Sequence, residues 1–128
     1  MGERYEEGLA MRRQVLGDAH VQRSLDAATE FTRPMQELVT EYCWGAVWTR
    51  PGLAPRDRSL LNLGMLVALD RPDELRVHLR GALNNGVTVA EIQEVILQAG
   101  VYCGMPAALD AFRIAGAVIE EHEAGGAE

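Results

Sequence analysis

The sequence predicts an all-α protein of about seven short helices. Apolar residues recur at helical spacing along nearly the whole chain, and no segment alternates apolar and polar residues as a half-buried strand would. Two further signals are the T-x-x-E pair Thr88 and Glu91, typical of a helix start, and the glycine and proline breaks between the apolar runs. A helical fold of this kind does not by itself name a function.

The length of 128 residues, with 48% apolar and 24% charged residues, predicts one domain, 1–128, with a helical arm over 1–30 and a frayed acidic tail over 122–128. The longest apolar run, Met65–Leu69, is too short to cross a bilayer, and the opening GERYEEG is charged where a secretory signal would be apolar. We therefore expect a cytoplasmic protein without a membrane partner. The net charge of -7 argues against a nucleic-acid surface.

In the first half of the chain, two or three helices are predicted, with Asp18 as a candidate cap of the second. A longer helix is predicted before the RPGLAP break at 50–55. One face of it is apolar and comprises Met35, Leu38, Val39, Tyr42, Cys43, Ala46 and Val47. A different face carries Glu41, Trp44 and Trp48 at i, i+3 and i+7. A helix with two apolar sides needs a second partner, either a ligand or another subunit.

The helix predicted over 56–69 is apolar on most sides, so we expect it to be a central, buried element. Asp70 is a candidate cap for the helix that follows, and Pro72 is tolerated in its first turn. Gly86 supplies a left-handed stop at the end of that helix.

Two more helices complete the prediction. The first opens with the Thr88–Glu91 capping box and ends at Gly104. Its predicted buried stripe consists of Ile92, Val95, Ile96 and Ala99. The second is predicted from about Pro106 to Glu121, with inward residues Ala111, Phe112, Ala115, Val118 and Ile119.

The chemistry open to the chain is limited by its basic residues and its thiols. All twelve basic residues are arginine, so no lysine can form an imine with a carbonyl substrate or with pyridoxal phosphate. Cys43 and Cys103 stand sixty residues apart, which excludes a C-x-x-C redox pair and a zinc site of ordinary ligand spacing. We expect both to be packed free thiols, and we expect no metal site.

His78 is the best candidate for proton chemistry. It lies at the edge of an apolar helix face, with Glu74 one turn earlier. The alternative is that His78 closes an apolar seam while Glu74 is solvated. His20, beside Asp18, could reach an active site across a subunit contact or serve the helix start, and His122 is expected to be solvated.

Five blocks in order resemble the 4-carboxymuconolactone decarboxylases, cofactor-free enzymes of bacterial protocatechuate breakdown in the β-ketoadipate pathway. The blocks are RRQVLGDAHV from Arg12, ELVTEYCWGAVWTRPGL from Glu37, RSLLNLGMLVAL from Arg58, ELRVHLRGALNNGVT from Glu74 and EIQEVILQAGVYCGMPAA from Glu91. The wider family includes the alkylhydroperoxidase AhpD. The resemblance implies an AhpD-like helical subunit that assembles into a homotrimer or homohexamer.

The peroxidase members of the wider family use two cysteines, a following histidine and an upstream glutamate that relays protons. Here His78 matches the histidine, Glu74 and Arg71 stand where the cysteines would be, and Ser59 stands where the glutamate would be. The resemblance therefore favours a redox-neutral decarboxylation over peroxide reduction.

The implied substrate is a lactone dicarboxylate that accepts the electrons from its own decarboxylation, so no cofactor is expected. His78 would supply the proton, and Glu74 would orient its ring. Carboxylates would be bound by arginines, foremost Arg50 and Arg58, followed by Arg71 and Arg80. Arg12 and Arg13 are expected at the surface or at a subunit contact.

Further side chains are candidates for the pocket. Its expected walls are Trp44, Trp48, Tyr102 and Met105, although subunit packing explains the tryptophans at least as well. Residues with a weaker claim are Glu41, Ser59, Glu94, Cys103 and His20. Two other functions stay open: a redox enzyme that uses Cys103 as a lone peroxidatic thiol, and a non-catalytic helical assembly module.

Overall fold

The computed structural model describes residues 2–125, and all regular structure in that range is helical. The elements are α1 Glu3–Leu16, α2 Asp18–Asp26, α3 Arg33–Leu38, a π-helix Val39–Trp48, α4 Pro55–Ala68, α5 Pro72–Asn84, α6 Val89–Cys103 and α7 Met105–Gly125. The predicted all-α class is confirmed. The helices form two compact units that divide between Ala54 and Pro55. The single domain expected from the length of the chain stays a prediction.

In the first unit, α1 packs directly on the π-helix. Glycines make this close approach possible, because a Cβ at Gly8 would lie 2.1 Å from the carbonyl oxygen of Thr40. A Cβ at Gly45 would lie 2.3 Å from the carbonyl oxygen of Arg4. The buried apolar residues of this unit are Val15, Leu16, Val21, Trp44 and Trp48.

The apolar stripe predicted for this region is wrong as a buried face, because a different face of the helix is buried. Met35, Leu38, Tyr42 and Val47 are exposed, and the buried positions of the π-helix are Thr40, Trp44, Gly45 and Trp48. The i→i+5 hydrogen bonds of a π-helix widen each turn, so a stripe drawn at α-helical spacing does not stay on one face. The close approach at Gly45 then selects the tryptophan side for burial.

The second unit has a single core among α4, α5, α6 and α7. Its buried members are Leu63, Val67, Leu75, Leu79, Ala82, Val87, Ile92, Ile96, Ala99, Ala108, Ala111, Ala115 and Val118. The predicted stripe of α6 is confirmed, with Val95 partly buried beside the others. The predicted capping box is confirmed as well, because Thr88 Oγ1 accepts from the Glu91 backbone and Glu91 Oε1 accepts from the Thr88 backbone.

Helix α4 is less buried than predicted. Only Ser59, Leu63 and Val67 are fully buried, whereas Leu61 and Met65 are exposed. The other helices of the second unit pack on one side of α4 and leave the opposite side uncovered within that unit. Phe112, which was expected to point inward from α7, is 37% exposed.

The helix boundaries follow the glycines more closely than the proposed acidic caps. Gly86 adopts a positive φ angle of 89°, as predicted for a left-handed stop, and Gly104, at the predicted break after α6, has a φ of 131°. Asp70 does not cap α5, because it takes a left-handed φ of 56° and Arg71 occupies the N-cap position. Gly17 likewise takes the cap position predicted for Asp18.

At the carboxyl end, α7 continues to Gly125, into the segment expected to be frayed over 122–128; residues 126–128 lie outside the described range. Among the described helices, none combines the length and the apolar character needed to span a bilayer.

Candidate functional site

His78 lies half-buried on α5, at the seam between α5 and α4. Leu75, Leu79 and Ala82 place α5 in the core, and this packing turns His78 toward α4. The side-chain nitrogen Nδ2 of Asn62 lies 3.4 Å from Nδ1 of His78. Sequence reasoning missed Asn62. The available signal was a single carboxamide within the apolar run LLNLGMLVAL of α4.

The contact with Asn62 can form with either protonation state of the His78 ring. When Nδ1 is unprotonated, it accepts from the carboxamide NH2 group. When the ring is doubly protonated, rotation of the carboxamide presents its oxygen to Nδ1–H instead. Asn62 can therefore pair with Nδ1 in both protonation states of the ring.

A second polar contact joins the same two helices near the start of α4. Asn85 Nδ2 donates to Ser59 Oγ at 3.0 Å and to the carbonyl oxygen of Pro55 at 3.3 Å. Ser59 is fully buried, so its hydroxyl ties the end of α5 to α4. Ser59 thus has a structural partner at the position where peroxidase relatives would carry a proton-relaying glutamate.

Among the arginines expected to bind carboxylates, Arg58 is the one on the helix that holds Asn62. The two residues are four apart on α4 and share one face, and Arg58 is half-buried. Arg80 Nη2 pairs with Glu121 Oε2 on α7 at 3.3 Å, so its charge is already engaged. Arg71 is exposed at the N-cap position of α5.

Glu74 lies one helical turn before His78, and its side chain is exposed. The charge of Glu74 would act on the ring across the helix surface, where water screens it.

The remaining residues expected to line the pocket fall in both units. In the first unit, the rings of Trp44 and Trp48 stack with centroids 4.6 Å apart and an interplanar angle of 29°. Both are buried within that unit. Arg50 is exposed there, and Glu41 and His20 are half-buried. In the second unit, Met105 and Glu94 are exposed.

An open apolar groove of about 440 Å³ runs between α4 and α6 in the second unit. Its lining residues are Leu60, Leu61, Gly64, Met65, Ala68, Val95, Gln98, Ala99, Tyr102 and Cys103. His78 does not line it, so two of the predicted pocket residues, Tyr102 and Cys103, belong to a surface other than the α4–α5 seam.

The expectation of packed thiols is wrong for both cysteines. Cys43 and Cys103 are exposed, because Cys43 lies on the uncovered face of the π-helix and Cys103 lies at the end of α6. Among residues 2–125, no three His, Cys, Asp or Glu side chains are grouped so as to hold a metal ion.

A carboxyl with a lowered pKa, that of Glu91, lies at the start of α6. Hydrogen bonds from the Thr88 backbone and from Arg56 lower the pKa of Glu91, and its partial burial opposes them. These contacts link the first turns of α4 and α6 in a structural network.

The described helices bring a half-buried imidazole, His78, next to the carboxamide of Asn62 at the α4–α5 seam. The chain matches the carboxymuconolactone decarboxylase family over residues 33–117. It is 44% identical to a 4-carboxymuconolactone decarboxylase of Acinetobacter baylyi over 93% of this chain and 89% of that protein. It is also 51% identical to a nitrosuccinic acid decarboxylase of Metarhizium robertsii over 84% of this chain and 75% of that protein. The chain therefore belongs to the carboxymuconolactone decarboxylase family.

Proposed function

We propose that the chain decarboxylates 4-carboxymuconolactone to 3-oxoadipate enol-lactone without a cofactor, within protocatechuate catabolism by the β-ketoadipate pathway. The observation that carries the proposal is the imidazole of His78, oriented by Asn62 at the α4–α5 seam. Identity of 44% to a decarboxylase of that name over nearly the whole chain supports the choice of substrate.

The substrate supplies its own electron sink. Its departing carboxylate is attached to the γ carbon of an unsaturated lactone, so cleavage of that carbon–carbon bond releases carbon dioxide and sends the electron pair through the double bond to the lactone carbonyl. The resulting dienolate takes one proton on the carbon α to the carbonyl, which gives the enol-lactone. The enzyme has three tasks: to hold a dianion, to stabilise the developing oxyanion and to deliver one proton.

His78 performs the proton delivery in this proposal. An imidazole has an unperturbed pKa of about 6.5, which suits transfer near neutral pH. Glu74, one turn away, favours the protonated ring through its charge.

Carboxylate binding is assigned first to Arg58, because it shares a helix face with Asn62. A guanidinium pairs with a carboxylate through two parallel hydrogen bonds, which fixes the position of the substrate as well as its charge. Arg71 is exposed at the start of α5, in the same unit, and can take the second carboxylate. Arg80 is a further candidate, and in this structure its Nη2 pairs with Glu121 Oε2.

A second candidate substrate is nitrosuccinate, which the 51% identity to a nitrosuccinic acid decarboxylase favours. Both substrates are dicarboxylic acids with an internal electron sink. In nitrosuccinate the nitro group accepts the electron pair as the adjacent carboxylate leaves, and protonation of the nitronate carbon gives 3-nitropropanoate. The same imidazole and the same arginines would serve either reaction.

The test combines both substrates with a matched pair of histidine variants. The wild-type chain should release carbon dioxide and form enol-lactone from 4-carboxymuconolactone. His78→Gln should lose roughly a hundredfold to ten-thousandfold in kcat, whereas His122→Gln on α7 should keep the wild-type rate. Circular dichroism confirms that each variant is folded. Full-speed turnover by folded His78→Gln would overturn the assignment, and faster turnover of nitrosuccinate would select the second substrate.

We also propose that the chain assembles as a homotrimer or homohexamer through the uncovered sides of α4 and α6. The exposed apolar residues there are Leu61, Met65, Leu97, Val101 and Tyr102. Such a contiguous apolar surface is typical of subunit contacts. Sedimentation velocity should give a multiple of the 14.0 kDa chain mass, and Met65→Glu should reduce it. A wild-type chain that sediments as a monomer at micromolar concentration would contradict this proposal.

A further inference from the structure

Arg12 is a buried cation in the first unit. It was expected at the surface or at a subunit contact, yet only 6% of it is exposed. Its Nη1 donates to Thr40 Oγ1 on the π-helix at 3.1 Å. Its Nε is also buried and has no hydrogen-bond partner in the described part of the chain. None of the ion pairs formed among residues 2–125 includes Arg12.

The contacts of the Arg12 guanidinium offset only part of the free-energy cost of burying its charge. Removal from water penalises the charged form, and this burial lowers the pKa of Arg12, yet an arginine stays protonated at physiological pH. A hydroxyl partner carries no charge to offset that penalty. Buried cations in proteins are ordinarily paired with an anion, so the position calls for one.

The unused edge of the Arg12 guanidinium fits a small planar anion, and Gln36 lies one turn before its partner Thr40. Because the Thr40 contact uses Nη1, the edge formed by Nε and Nη2 remains for a ligand, and that edge matches the two oxygens of a carboxylate. Thr40 in turn donates to the backbone carbonyl of Gln36 at 2.7 Å. The side-chain Oε1 of Gln36 is buried without a partner. A flip of the carboxamide, which exchanges its oxygen and nitrogen, would present an NH2 donor instead.

The size of the ligand is limited by the packing of the unit. Gly8 lies one turn before Arg12 on α1, and there the backbones of α1 and the π-helix touch. No large group fits between helices in such close contact. The chain's net charge of -7 further disfavours a polyanion.

We propose that Arg12, Thr40 and Gln36 form a carboxylate-binding site between α1 and the π-helix. The carboxylate comes either from a small free acid or from an aspartate or glutamate of a second copy of this chain. The site is independent of the decarboxylation proposed above, because it involves none of the residues assigned to that reaction.

The first experiment follows the arginine Nε–Hε resonances of the full chain by NMR, with succinate as the probe. The Arg12 resonance is assigned by its disappearance in Arg12→Lys. Succinate should shift it, whereas the neutral analogue succinamide should not. Succinate affinity read from this resonance should fall at least tenfold in a Gln36→Leu variant, and it should be unchanged in Arg23→Lys, which alters an exposed arginine of α2. The resonance identifies the site even if succinate binds elsewhere as well.

The second arm separates the two sources of the carboxylate. If a second copy supplies it, Arg12→Met should lower the mass in sedimentation, and succinate should bind the wild type more tightly at lower protein concentration. If a free acid supplies it, the mass is unchanged and the succinate affinity does not depend on protein concentration. The proposal would be overturned if succinate did not shift the Arg12 resonance and if Arg12→Met had the same sedimentation mass as the wild type. Water alone would then fill the site. Both readouts are independent of catalytic activity.

Discussion

Asn62 and His78 meet across the seam between α4 and α5, with the carboxamide nitrogen 3.4 Å from Nδ1 of the ring. The contact joins the single polar residue of an apolar run to the one histidine of α5. It gives Nδ1 a partner in either protonation state, because a carboxamide can both donate and accept. The orientation of the proposed acid thus depends on a residue of a neighbouring helix.

Replacing Asn62 should therefore change catalysis without removing the histidine. Asn62→Leu should lower kcat roughly 10–100-fold, because the ring loses the partner that holds it in position. Asn62→Asp places a carboxylate beside the ring and favours its protonated form, so its activity should persist to higher pH than that of the wild type. Steady-state kinetics from pH 5 to pH 9 test both statements. Wild-type kcat and an unshifted pH profile in both variants would contradict an orienting role for Asn62.

Arg58 should contribute mainly to substrate binding. Arg58→Lys keeps the charge but loses the planar fork, so kcat/KM should fall about 10–100-fold, which corresponds to roughly 1.5–3 kcal/mol for a hydrogen bond to a charged group. Arg113→Lys is the matched control, because Arg113 is exposed and pairs with Asp110 within α7. If both variants retain wild-type kcat/KM, Arg58 does not bind a carboxylate of the substrate.

The local features of the fold could be predicted from the sequence, and the non-local ones could not. The capping box of Thr88 and Glu91 depends on residues three apart, so its pattern specifies its geometry. The burial of Trp44 was harder to predict because it depends on a π-helix and on the glycine contact with α1. Asn62 gains its significance from a residue sixteen positions away, and no local pattern indicates that pairing.

The glycine contact in the first unit should be sensitive to a single methyl group. Gly8→Ala would place a Cβ 2.1 Å from the Thr40 carbonyl oxygen, and backbone cannot move aside as a side chain can. The free energy of unfolding should fall by about 1–3 kcal/mol, as for other overpacked contacts. Gly116→Ala on α7 is the control: nothing lies within 4 Å of its new Cβ, so it should stabilise the chain by about 0.5–1 kcal/mol. Urea denaturation measures both, and equal stability of the two variants would show that the α1 contact is not tight.

Glu91 should make the stability of the second unit depend on acid pH. Its pKa is lowered from the usual 4.5 by the backbone hydrogen bond of Thr88, with Arg56 as a further cause. A carboxyl whose pKa is depressed by folding stabilises the folded state above the unfolded pKa and loses that contribution as the pH falls through the folded pKa. The free energy of unfolding of the wild type should thus exceed that of Glu91→Gln by a constant amount at neutral pH. The difference should shrink as the pH falls below about 4.5.

Thermal or urea unfolding of the two proteins between pH 7 and pH 3 measures this difference directly. Glu94→Gln is the matched control, because Glu94 is an exposed carboxyl on the same helix. The difference in the free energy of unfolding between the wild type and Glu94→Gln should not shrink as the pH falls below about 4.5, since Glu94 takes no part in the capping box. A wild-type advantage over Glu91→Gln that stays constant down to pH 3 would mean that the charge of Glu91 does not stabilise the start of α6, and that the Thr88 hydroxyl alone caps the helix.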